Sequence, residues 1–119
     1  MTQQILVPAG NDGSRDLTVD VTDGLPLETV RKDVVPAVVE RARSITRGII
    51  ELVQMTNDTV AVVVFSTRQN RVRVKEIIPV TARLSAFQHA IDELRDARLD
   101  DGLREAALDA LLRRYHRKA

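Results

Sequence analysis

Thr59-Val-Ala-Val-Val-Val-Phe65, followed across a polar loop from Ser66 to Asn70 by Arg71-Val-Arg-Val-Lys75, is the stretch on which the fold turns. β-Branched residues stand at successive positions in the first run, which is too short for a helix and has no polar face, so it reads as a central strand covered on both sides. The second run alternates. Arg71, Arg73 and Lys75 share one side, while Val72, Val74 and, by extension, Ile77 share the other, as in a strand with one wet and one packed face.

The same period of two recurs near the start of the chain. Ile5 and Val7, then Leu17, Val19 and Val21, are spaced two apart on either side of Ala9-Gly10-Asn11-Asp12-Gly13-Ser14-Arg15, a turn-forming run. A β-hairpin from about Gln3 to Val21 is predicted. Thr22-Asp23-Gly24-Leu25-Pro26 then breaks the strand and offers a helix entry at Pro26. Pro36 demands a kink or a fresh start with Asp33 as cap, since an interior proline removes a hydrogen bond and crowds the preceding turn. Val34, Val38, Ala42, Ile45, Ile49 and Leu52 make a stripe at helical spacing, with Glu40, Arg43, Arg47 and Glu51 opposite at intervals that suit surface ion pairs. The spacing predicts a long amphipathic helix ending near Met55.

Beyond Lys75, Ile78-Pro79-Val80-Thr81 leads out of the sheet. Thr81 or Ser85 is a candidate cap for a helix carrying Leu84, Phe87, Ile91 and Leu94. After Asp100-Asp101-Gly102 a last helix from about Leu103 presents Leu108, Leu111, Leu112 and Tyr115 on one face. The expected architecture is a single α+β domain over residues 1–119, a two-layer sandwich in the order ββαββαα. Its sheet is mostly antiparallel with about four strands, and the helices pack on one face.

Composition narrows the function classes. The 119 residues are 44% hydrophobic and 29% charged, the proportions of a globular domain, which excludes a disordered or collagen-like chain. With no cysteine there is no disulfide framework, thiolate metal site or cysteine nucleophile. Eighteen basic and seventeen acidic residues leave a formal net charge of +1, so no overall excess marks a polyanionic partner. No apolar run approaches the ~20 residues that span a bilayer, and Met1-Thr-Gln-Gln-Ile5 lacks a signal-peptide pattern, so a cytoplasmic location without a membrane partner is expected.

Three surfaces are candidates for function. Arg71, Arg73 and Lys75, extended by Arg68, place cations at ~6–7 Å intervals along one strand face, a spacing that suits successive phosphates of a nucleic acid. The same pattern also fits the solvated face of an outer strand, where charge discourages edge pairing, and no aromatic residue alternates with the arginines to stack bases. Arg113, Arg114, His116, Arg117 and Lys118 form a basic C-terminal patch that equally complements a helix dipole. Leu108, Leu111, Leu112 and Tyr115 complete their own core or meet a partner as anchors at helical spacing.

Catalytic and metal chemistry find little footing. His89 and His116 are far apart in the chain, and His89 with Asp92 and Glu93 reads as a surface pair on a helix. Neither Ser66 nor Ser85 lies in a nucleophile elbow, and Gly10-Asn11-Asp12-Gly13 lacks the lysine and helix of a phosphate loop. The expectation is a non-catalytic assembly module without cofactor or metal, homo-oligomeric through its last helix. A nucleic-acid or ribosome-binding module using Arg71, Arg73 and Lys75 is the alternative.

Two partial resemblances complete the reading. Thr59 to Thr67, with Ile78-Pro-Val-Thr81 and Ala90-Ile-Asp-Glu-Leu94, resembles the middle of a von Willebrand A domain. Asp20 and Thr22 match that family's metal-binding Asp-x-Ser-x-Ser, but Gly24 does not and the downstream threonine has no counterpart, so metal binding is not implied. The order of strand, long helix, two strands and helix with Val21-Thr-Asp-Gly-Leu25 is similar to the small ribosome-hibernation domain, short of one strand. Each resemblance covers part of the chain, and neither assigns a family.

Overall fold

A computed structural model of the chain describes residues 3–8, 10, 15–81 and 83–117. Two compact units divide between Pro79 and Val80. The first holds β1 (Gln3–Val7), β2 (Leu17–Val21), a helix α1 (27–42), β3 (Ile49–Gln54), β4 (Thr59–Ser66) and β5 (Arg71–Pro79). The second holds α2 (Leu84–Asp96) and α3 (Asp101–Arg117). The chain is thus α+β in the order ββαβββαα, and its five-stranded sheet runs β1-β2-β5-β4-β3.

The β1–β2 hairpin forms as predicted, with Gln3 opposite Val21 and Val7 opposite Leu17; Ala9 and residues 11–14 of its turn lie outside the described residues. From β2 the chain crosses through α1 to the far edge, and β3, β4 and β5 return as an antiparallel meander. β5 enters beside β2, giving the one parallel pairing of a mostly antiparallel sheet. The strand of Arg71, Arg73 and Lys75 is therefore the middle of the sheet and not an outer strand. Thr59–Ser66, expected at the centre, is its neighbour.

The sequence-predicted helix to Met55 is corrected. α1 ends at Ala42 and residues Ile49–Gln54 are a strand, which raises the count to five. Ile49, Ile50, Leu52 and Val53 fit both periods, and the six-residue ladder with Val60 to Phe65 decides between them. Gly48 makes the entry: a Cβ there would lie 3.2 Å from the Phe65 carbonyl oxygen. Glu51 accordingly pairs across to Arg41, Nε to Oε2 at 2.6 Å, and not along a helix.

α1 itself consists of Leu27–Thr29, a π-helical turn Val30–Val34, and Val35–Ala42. The Val35 N–H bonds to the Val30 carbonyl, five residues back. Pro36 explains the wide turn, because its ring needs room beside the carbonyl four residues earlier and it supplies no N–H. Asp33 lies inside this turn and caps nothing. The helix starts instead at Pro26, whose carbonyl accepts the Val30 N–H at 3.0 Å.

Val30, Val34 and Val38 recur every four residues along α1 and pack on one sheet face against Val19, Val21, Ala61, Val63, Phe65, Val72 and Val74. Fully burying each such side chain contributes roughly 1.5–3 kcal/mol. Ile77 joins this face although it follows Val74 by three positions. A bulge accounts for the spacing: Val63 opposes Val74 and Val62 opposes Glu76, so Lys75 is the extra residue.

In the second unit, α2 buries Phe87, Ile91 and Leu94, and α3 buries Leu108, Leu112 and Tyr115. Asp100 caps α3 by accepting the Leu103 N–H at 2.8 Å. Arg104 ties the turn between the helices, donating to the carbonyls of Ala97 at 3.1 Å and Leu99 at 3.0 Å. Ser85 lies inside α2 and does not cap it; Thr81 stands just before the helix, its hydroxyl accepting the Arg83 N–H at 3.3 Å and its carbonyl the Leu84 N–H at 3.0 Å.

Candidate functional site

The cations of β5 face away from α1, on the side of the sheet that also carries Thr18 and Asp20 of β2. Asp20 is the one buried charged residue among those described. A carboxylate taken out of water needs a partner, and Arg71 supplies it: Nε donates to Oδ2 at 3.1 Å, and Nη2 donates to Oδ1 at 2.9 Å and to Oδ2 at 2.8 Å. These hydrogen bonds, followed by the attraction between the charges, raise the Arg71 guanidinium above its ordinary value.

The expected row of phosphate-binding cations is altered by this geometry. Arg71 is neutralised by Asp20, and Lys75 is the extra residue of the bulge, outside the register that Arg71 and Arg73 keep with β4. Arg68, in the β4–β5 turn, and Arg73 are exposed, and Lys75 is half-buried. The C-terminal basic patch is described only in part: Arg113 and Arg114 are exposed, while the side chains of His116 and Arg117, and Lys118, lie outside the description.

The anchors proposed on the last helix are placed differently from expectation. Leu108 is fully buried within the chain, Leu112 and Tyr115 are 7% and 8% exposed, and Leu111 is half-buried. Tyr115 is held on three sides. Its ring lies 5.2 Å from that of Phe87 at a tilt of 60°, the Arg83 guanidinium stands 4.7 Å above it, and its hydroxyl lies 3.2 Å from that of Thr81. A tilted aromatic pair and a stacked cation are both attractive arrangements. Leu108, Leu112 and Tyr115 are thus buried within the single chain.

His89 lies 3.2 Å from Glu93 with both side chains exposed, the surface pair that the spacing predicts. Among the described residues no three of His, Cys, Asp or Glu gather as a metal site requires. No helix among them is long and apolar enough to cross a membrane.

The surface that the sequence reading passed over is β1. As an edge strand it pairs only with β2, and Gln3 to Val7 includes no charged residue. Ile5 and Val7 pack against the core. Leu6, between them, points to the opposite face and is 65% exposed, the most exposed large hydrophobic residue among those described. The directions of the backbone groups follow from two contacts. The N–H of Thr18 bonds to Asn70 and that of Thr22 to Val74, so residues 18, 20 and 22 address β5. Residues 17, 19 and 21 then address β1 and meet Val7, Ile5 and Gln3. The N–H and C=O groups of Gln4 and Leu6 are left pointing outward from the sheet. The signal was present in the sequence as an apolar residue at a position where the alternation calls for a polar one.

Comparison with family models, with curated proteins and with solved structures finds no match.

Proposed function

We propose that the chain is a non-catalytic protein-interaction module of the cytoplasm whose docking edge is β1. The observation that carries this reading is Leu6, 65% exposed on an edge strand without charge. Natural sheets shield their edges with lysines, prolines, bulges or a covering element. β1 has none of the first three between Gln3 and Val7; Pro8 follows it. An edge with outward N–H and C=O groups recruits an extended segment by strand addition, where backbone bonds supply affinity and alternate side chains supply selectivity.

This reading moves the contact from the last helix, where Leu108, Leu112 and Tyr115 are buried, to the sheet. Nucleic-acid binding through β5 is the weaker reading, because Arg71 already answers Asp20.

Amide exchange followed by NMR tests the docking edge. In dilute protein the amides of Gln4 and Leu6 are expected to exchange quickly and those of Ile5 and Val7 slowly. Titration with an acetylated, amidated peptide of alternating Thr and Val, an uncharged strand former, is expected to shift the β1 resonances. A titration that leaves every β1 resonance in place overturns the reading.

A further inference from the structure

We propose that the partner of β1 is a second copy of this chain, paired β1 to β1 in antiparallel sense about a two-fold axis through Ile5. The inference rests on the reading of β1 as the docking edge, and names its occupant.

The outward backbone groups of the described residues favour this arrangement. In an antiparallel pair, directly opposed residues that face each other exchange both of their N–H···O bonds. With the axis through Ile5, Gln4 of one copy opposes Leu6 of the other, and the reverse pair forms by symmetry. All the outward donors and acceptors of Gln4 and Leu6 are then matched. An axis through Leu6 would set Gln4 against Pro8, which has no N–H to return. The two-fold arrangement is isologous and closes at two copies. Charge does not oppose it, since the strand is uncharged and the whole chain has a formal net charge of +1. It also places each Leu6 against the stem of the other copy's Gln4, on the face where Leu6 is otherwise open to water. Five residues of pairing form a small interface, so the dimer is expected to be weak and to depend on concentration.

The absence of cysteine makes the register directly testable. Opposed residues of this kind have Cα atoms about 5.5 Å apart, within the range a disulfide bridges. Gln4→Cys and Leu6→Cys are prepared separately, and both side chains are exposed. Under oxidation, a mixture of the two variants is expected to yield a disulfide-linked dimer, and each variant alone is expected to form no such link. Cross-linking of either variant with itself, or none in the mixture, overturns the proposal. Leu6→Pro removes an outward N–H while leaving the ladder to β2 in place, as edge strands tolerate. Light scattering is expected to show the wild-type mass rising toward twice the chain mass with concentration, and the proline variant losing that rise.

The outcomes separate this inference from the reading beneath it. A wild-type monomer at every concentration, with Gln4 and Leu6 amides still exchanging quickly, overturns self-pairing and leaves the edge open to another strand. A monomer in which those amides exchange slowly has its edge covered within the chain, which overturns both.

Discussion

The Arg71 guanidinium reaches past its ladder partner on β2 to bond Asp20. The Cα partner of Arg71 on β2 is Thr18, and the guanidinium leans along the parallel strand to Asp20, the partner of Arg73. The pair is asymmetric: the Asp20 side chain is 8% exposed and that of Arg71 is 36% exposed. The carboxylate has therefore lost most of its water, and the arginine has kept a good part.

That asymmetry sets the order of the variants. Removing one partner of a buried pair leaves an uncompensated charge, whereas removing both removes the difficulty with them. Arg71→Leu is expected to lower the melting temperature more than the double variant Asp20→Leu/Arg71→Leu. Equal melting temperatures for the single and double variants, measured by calorimetry, would show that Asp20 does not depend on Arg71.

Most of unit 1 was legible where one periodicity stood alone. The β1–β2 hairpin, β4, β5 and the Val34–Val38 stripe of α1 each admit one reading, and each forms. The stretch from Ile45 to Val53 does not: its apolar residues satisfy a helical stripe and a two-sided strand together, and what decides is the ladder to β4 across the turn at 55–58. The site was less legible than the fold. Whether Leu108 is core or surface depends on how many layers cover it, and whether Arg71 is available depends on Asp20, 51 residues earlier. Neither is a property of local spacing.

Gly48 gives that correction a test. A side chain there presses on the Phe65 carbonyl, which sits at the end of the β3–β4 ladder and has little room to retreat. Gly48→Val is expected to cost about 1–3 kcal/mol, as overpacking does, and Gly48→Ala less. Urea denaturation measures both. A valine variant as stable as the wild type would mean that the chain does not approach β4 so closely.

Asn70 closes the β4–β5 turn with φ +49°, the one described non-glycine residue in the left-handed region. Its carbonyl also accepts the Thr18 N–H at 3.0 Å, joining the turn to β2. A residue with a full Cβ and no local polar group pays roughly 1–2 kcal/mol in this conformation. Asn70→Val is therefore expected to lose about that much stability, while Asn70→Gly stays within a few tenths of a kcal/mol of wild type. Equal losses in the two variants would point to the asparagine side chain and not the backbone.

Leu108 separates the two meanings of the last helix. As an interface anchor it would be exposed in the monomer, and a polar substitution would change the mass of the assembly while sparing the fold. It is instead fully buried within the chain, and truncating such a leucine typically costs 2–5 kcal/mol through lost transfer energy and the cavity left behind. Leu108→Ala is accordingly expected to lower stability by roughly 2–5 kcal/mol and to leave the cross-linking between Gln4→Cys and Leu6→Cys chains intact under conditions where the variant is folded. Leu6→Lys is expected to behave in the opposite way, with little change in melting temperature and loss of association. A Leu108→Ala protein that keeps its stability and loses its association would return the contact to α3.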